Sequence, residues 1–249
     1  MERAASLDVL PDAVDFPEGD TMSADIQAGA PSIGLKRDFE SSDLYLGVYG
    51  YVKDYMGRYD CSHDFNHVLR VLNLAKHILV KELEANPWKK LHKQAIILAA
   101  LLHDVGDKKY ALPNEVPEHL IQKLLAKHGC PPRFVAKVAL LVQHVAYSSE
   151  IKRPELVKAI VSAHPELAIV QDADRLDAIG AVGIARTFAF GAVKKADRGL
   201  EGSVEHFPEK LERLEGMMKT ETGKKMARER TQRLQDFRRW WEEENALIS

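Results

Sequence analysis

With 249 residues, 45% of them hydrophobic and 29% charged, the chain has the apolar content for a large core, which excludes a disordered or fibrous protein. Its 35 basic side chains against 37 acidic ones leave a formal charge of -2, so no global field draws it to a nucleic-acid polymer or an anionic membrane. The two cysteines, Cys61 and Cys130, follow no zinc-binding spacing and are too few for a disulfide framework, which makes a reducing, intracellular and cytoplasmic setting the expectation.

Residues 1–40 mix acids, Gly, Pro and Ser without sustained periodicity and are expected to be a flexible extension. Leu7, Val9 and Leu10 are interrupted by Asp8 and followed by further acids, so this stretch lacks the basic-then-apolar plan of a signal peptide. From Ser41 the pattern turns helical. Asp43 is the expected cap, and Leu44, Val48, Tyr51, Val52 and Tyr55 recur on one face. A second helix is expected from about Asp64 to Glu84, with a stripe of Val68, Leu72, Ala75, Leu79 and Leu83 and a stop at Asn86-Pro87.

Residues 88–104 contain an apolar run from Ala95 to Leu102 that leaves no polar side to a helix, which places it at the centre of a bundle, with Gly106 as its stop. The run is far shorter than the ~20 residues a bilayer span needs. Prolines open three further expected helices, Pro117 to Lys127, Pro132 to Tyr147 and Pro154 to Ala163. Leu167 to Ala192 reads as one buried helix in which Gly180 and Gly183 admit a close neighbour. Pro208 to Met218 and Thr222 to Ala246 read as charged outer helices, the last of them free to pack on a partner, which leaves a homodimer open. There is no β-run and no repeat, so the expectation is an all-α fold with one helical domain over residues 41–249.

Three segments carry chemistry. In Ser62-His63-Asp64-Phe65-Asn66-His67 the two histidines are four apart and share a helical face, a spacing also met in ordinary polar helices. His103-Asp104 ends an apolar helix, where two ionisable side chains carry a desolvation cost until they find partners; a metal in a cleft is one such partner and a capped helix end is another. In Gln171-Asp172-Ala173-Asp174-Arg175-Leu176-Asp177, Asp174 and Asp177 share a stripe with Val170 and Ala181 and are expected to point inward, towards a cation or an arginine.

Together the strings His63 to Val71, Leu102 to Asp107 and Asp172 to Asp177 resemble the HD-domain phosphohydrolase superfamily, and look most similar to its small nucleotide-hydrolysing branch, over about residues 45 to 190. The resemblance implies a single HD-domain-like helical bundle, extended here by C-terminal helices. It puts His67, His103, Asp104 and Asp174 in the metal-ligand positions, with Asp172 as the alternative to Asp174. Two imidazoles and two carboxylates suit one divalent transition metal, Mn²⁺ preferred and Fe²⁺, Co²⁺, Ni²⁺ or Zn²⁺ accepted. The extra histidines and Gly-Tyr-Pro signature of the family's two-metal branch are absent from the sequence.

Asp107 occupies the place where related hydrolases carry an acidic proton-transfer group, and Asp64 is a second candidate for that role. Arg70, Lys108, Arg175 and His144 are candidates for substrate contact, each equally able to be an ion-pair or core residue, while Lys109 reads as a surface charge and Tyr147 as a packed tyrosine. The implied reaction is hydrolysis of nucleoside or deoxynucleoside triphosphates to monophosphate and pyrophosphate. The alternatives are a nucleotide monophosphatase of the 5'-nucleotidase type and a noncatalytic metal- or nucleotide-binding regulatory module.

Overall fold

The computed structural model describes residues 39–59, 64–106 and 116–246, so the expected extension lies outside the described residues apart from Phe39 and Glu40. Phe39 is buried edge-on against Tyr45, with ring centroids 5.9 Å apart, which starts the core two residues before the expected boundary. Among the described residues there are eleven α-helices and no strand, the all-α fold expected.

Helix α1 (Asp43–Met56) is capped by Ser42, whose Oγ accepts from the Tyr45 amide at 3.2 Å, and Asp43 instead supplies the favourable charge of the first turn. Helix α2 (Phe65–Ala85) buries the stripe from Val68 to Leu79. Helix α3 (Lys93–Leu102) is shorter than expected, and every residue from Ala95 to Leu102 is fully buried among α1, α2 and the later helices α5 and α8. Each of its large aliphatic side chains contributes about 1.5–3 kcal/mol by leaving water. Helices α4 (Pro117–Lys127) and α7 (Pro154–Ala163) begin at their prolines as expected. Helix α5 (Pro132–Gln143) stops early, and the short α6 (Tyr147–Lys152) follows it.

The expected single helix over 167–192 is two helices, α8 (Glu166–Asp177) and α9 (Gly180–Lys194), meeting at a 68° bend. Ile179 is extended and Gly180 sits at φ +74°, a conformation that costs any other residue a Cβ clash. A Cβ on Gly180 would lie 3.0 Å from the Arg230 side chain, and one on Gly183 would lie 2.3 Å from the Ala178 carbonyl oxygen. Both glycines therefore serve close packing, and one of them also breaks the helix.

After α10 (Glu201–His206), the outer helix expected from Pro208 is a π turn over Phe207–Leu211 and a 3-10 segment over Glu212–Met217. Helix α11 (Glu221–Asn245) packs within the chain, against α2, α8 and α9. Its start is held by Asp172 and Glu82, and its second half by rings of Phe237 and Trp241 against Phe188. No single helix among the described residues is long and apolar enough to cross a bilayer.

Candidate metal centre

Three helix ends meet at one point. His67 is in the first turn of α2, where Oδ1 of the N-cap Asp64 accepts from the His67 amide at 3.0 Å. His103 and Asp104 immediately follow α3, on a turn closed by Gly106 at φ +78°, whose amide donates to the Tyr55 hydroxyl at 3.1 Å. Asp174 lies one turn before the end of α8.

The two imidazoles present the same nitrogen. His67 Nε2 and His103 Nε2 are 3.1 Å apart, and Asp104 Oδ2 is 3.3 Å from the first and 3.5 Å from the second. Asp174 Oδ1 is 3.7 Å from both. The other ring nitrogens are engaged: His103 Nδ1 is 2.8 Å from the Ala100 carbonyl oxygen, and His67 Nδ1 is 2.7 Å from Asp177 Oδ2. Because a carbonyl or carboxylate oxygen only accepts, Nδ1 carries the proton in each neutral ring and each Nε2 points a lone pair inward.

Two imidazoles and two carboxylates facing one another form a cluster of acceptors, which a metal ion or a proton must hold together. Donors bound about 2.0–2.2 Å from one ion must lie roughly 3–4 Å from each other, so the spacings among His67, His103 and Asp104 fit a divalent metal, with Asp174 Oδ1 beside both imidazoles. Without a cation the same carboxylates favour a second proton on His67: burial lowers its pKa, but the hydrogen bonds it donates to Asp104 and Asp177 outweigh burial and raise it to about 8, a proton that a metal would displace. The histidines are buried, whereas Asp174 keeps 25% of its side-chain surface, so the carboxylate side is the open one.

The Asp172 alternative is separated from Asp174 by geometry. Asp172 is fully buried and accepts from the Lys219 and Thr220 amides and from the Thr220 hydroxyl, so it fixes the start of α11. Burial pushes its carboxyl up, against the pull of those donors. Asp64 acts here as a helix cap and also accepts from Asn66.

Three of the expected substrate contacts are spent elsewhere. Arg70 makes a two-pronged ion pair with Asp177, at 2.8 and 3.1 Å. Arg175 is buried and donates to Glu150 at 2.6 Å and to the Met217 carbonyl at 3.1 Å, which makes it a tie between α8, α6 and the segment before α11. His144 caps α5, with Nδ1 3.1 Å from the Ser149 hydroxyl and its carbonyl accepting from Gln171. Asp107, Lys108, Lys109 and His63 lie outside the described residues.

Asp177 points inward and meets arginines, as expected, but the arginines are Arg70 and Arg186, and neither Arg186 nor Arg230 is singled out by the sequence. Arg186 Nη1 donates to Asp177 Oδ2 at 3.0 Å, and Arg230 Nη1 donates to the Leu176 carbonyl. The one available signal was spacing: Arg70 follows His67 by three residues and Asp177 follows Asp174 by three, each pair sharing a helix face.

The HD domain family matches residues 64–179, from the cap of α2 to the bend after α8. YpgQ of Bacillus subtilis is 38% identical over 174 residues, covering 68% of this chain and 77% of YpgQ. The chain belongs to the HD-domain family. Its fold is similar to the crystal structure of YpgQ in complex with ADP, with a TM-score of 0.59 and 28% identity over 79% of this chain and 95% of that one. An HD-superfamily hydrolase from Bacillus thuringiensis is similar at a TM-score of 0.59 and 27% identity, covering 79% of this chain and 94% of that one. The HD match therefore spans the three helix ends that converge on His67, while α9 to α11 lie beyond it.

Proposed function

We propose that this HD-domain enzyme, a metal-dependent phosphohydrolase, cleaves nucleoside or deoxynucleoside triphosphates to the monophosphate and pyrophosphate. His67, His103, Asp104 and Asp174 would hold one divalent transition metal, Mn²⁺ by preference. The observation that carries the reading is the pair of imidazole Nε2 atoms 3.1 Å apart with two carboxylates beside them. A nucleotide substrate is supported by the ADP bound in the YpgQ crystal structure.

When bound, the metal supplies a water of lowered pKa and polarises a phosphoryl oxygen. The chain's part is preorganisation. His67 and His103 are each fixed through Nδ1, so neither ring must turn when the phosphate arrives. Asp104 and Asp174 stand on the solvent-facing side, where a phosphate ester enters. Asp107, three residues beyond Asp104, is assigned proton transfer, and Lys108 is assigned charge neutralisation at the phosphates.

The test is to strip the protein with chelator, reload it with Mn²⁺ and assay pyrophosphate and orthophosphate release over a panel of nucleoside mono-, di- and triphosphates. Pyrophosphate from triphosphates is expected, and a His103→Ala, Asp104→Ala double variant is expected to lose both metal and turnover. Orthophosphate from monophosphates alone would replace this reading with a nucleotidase, and metal uptake without any turnover would replace it with a binding module. Asp107→Asn is expected to keep the metal and lose turnover; equal loss of metal would remove Asp107 from the proton-transfer role.

A further inference from the structure

We infer that Asp177 is the positioning residue of the centre: it grips His67 through Nδ1 so that Nε2 faces the cation, and Arg70 and Arg186 lock its carboxylate in that pose. The inference rests on the reading of His67 as a metal ligand, and it moves Arg70 from substrate contact to site architecture.

The geometry is unusually complete for a residue outside the donor cluster. Asp177 keeps only 2% of its side-chain surface. Its Oδ2 meets His67 Nδ1 at 2.7 Å, Arg186 Nη1 at 3.0 Å and Arg70 Nη2 at 3.1 Å, and its Oδ1 meets Arg70 Nε at 2.8 Å. Both oxygens are thus engaged, with the carboxylate plane set by the planar fork of Arg70. A carboxylate so held cannot swing away from the imidazole, and an imidazole so held cannot flip.

The chain invests fold in this contact. Arg186 belongs to α9, and it reaches back to the last residue of α8 because Gly180 bends the chain between them. Arg230 of α11 lies against Gly180 and donates to the Leu176 carbonyl, beside Asp177, so the bend is clamped from outside. Residues from α2, α8, α9 and α11 therefore converge on the back of one histidine. His103 differs, since its Nδ1 rests on a main-chain carbonyl that no side-chain substitution removes. Of the two imidazoles, His67 is therefore the one whose pose a side-chain substitution behind it should disturb.

The experiment uses the full chain stripped of metal, titrated with Mn²⁺ by calorimetry in the absence of any nucleotide, together with ¹⁵N resonances of the histidine rings in the metal-free protein. Asp177→Asn is expected to weaken Mn²⁺ binding by about 10–100-fold and to change the His67 ring pattern while leaving that of His103 as it was. Arg70→Gln, on the more exposed side of the contact, provides a variant that keeps the His67 to Asp177 bond, and a smaller loss of the same sign is expected. Asp177→Glu is expected to recover part of the affinity lost in Asp177→Asn. A folded Asp177→Asn protein with parental Mn²⁺ affinity and a parental His67 pattern would overturn the inference, and so would parental affinity in Arg70→Gln if Asp177→Asn fails to fold. If the parental chain takes up no divalent cation, both the metal centre and this inference fall. Absence of triphosphate hydrolysis alongside tight, Asp177-dependent Mn²⁺ binding would sink the substrate reading alone.

Discussion

Asp172 and Asp174 stand two positions apart in sequence, yet their side chains serve separate tasks, and replacing each by alanine should separate fold from function. The Asp172 carboxylate is the acceptor for the Lys219 amide at 3.0 Å and for the Thr220 amide and hydroxyl at 2.7 Å each. Asp172→Ala leaves two main-chain N–H groups at the start of α11 without that acceptor, at about 1–3 kcal/mol apiece, for a total of roughly 2–6 kcal/mol. At about 2–4 °C per kcal/mol for a protein of this size, the melting temperature should fall by roughly 4–24 °C. Asp174→Ala removes no such bond, so its unfolding free energy from urea titration should stay within about 0.5 kcal/mol of the parent's. The metal content should show the opposite order: parental stoichiometry in Asp172→Ala and loss in Asp174→Ala. Urea titration followed by far-ultraviolet circular dichroism, with elemental analysis of the same samples, decides it. An Asp172→Ala protein of parental stability that no longer takes up metal would refute the assignment of both residues.

Gly180→Ala should cost about 1–3 kcal/mol, because alanine is strained at φ +74° and its methyl would displace Arg230; an unchanged thermal midpoint would mean the bend tolerates a side chain. Glu166 is held below the usual carboxylate range, since burial opposes ionisation but Lys137 Nζ at 2.6 Å and the His92 amide at 2.9 Å prevail. Its stabilisation is therefore full above the ordinary carboxylate pKa of the unfolded chain and is lost as the pH falls through the lower folded value. Glu166→Gln should accordingly trail the parent by about 1–3 kcal/mol near neutrality, with the gap in urea midpoints closing towards acid pH; a gap that widens there would contradict the sign. Adding Mn²⁺ at about 100 times its dissociation constant to the stripped protein should stabilise it by about 2.7 kcal/mol, read as an upward shift of the melting curve that His103→Ala abolishes.

The helices with a clear apolar stripe or an opening proline were legible in the sequence, because both signals are local. The division between α8 and α9 was not: apolar side chains run through Ala178 and Ile179, and the close approaches of Arg230 to Gly180 and of Ala178 to Gly183 appear only in the folded chain. The segment from Phe207 to Met217 has helical composition but closes in π and 3-10 turns, a choice made by its neighbours. At the site, the order of His67, His103-Asp104 and the acidic cluster could be read directly. The resemblance favours Asp174 over Asp172, but the physical reason is not local: Asp172 is engaged by Thr220, 48 residues downstream. Arg70 and Arg175 likewise looked available for phosphate until their partners Asp177 and Glu150, both remote in sequence, were in place.

Helix α3 carries no solvent-facing side from Ala95 to Leu102, and His103 is the next residue after it. A rod wedged on all sides transmits displacement along its axis instead of absorbing it. Trimming a side chain in its middle, as in Leu98→Ala, would therefore do more than hollow the interior: it would let the imidazole at its tip wander by fractions of an ångström. The packing of α3 should therefore be legible in divalent-metal affinity as well as in stability, and the two readouts on Leu98→Ala would tell a displaced imidazole from a simple cavity.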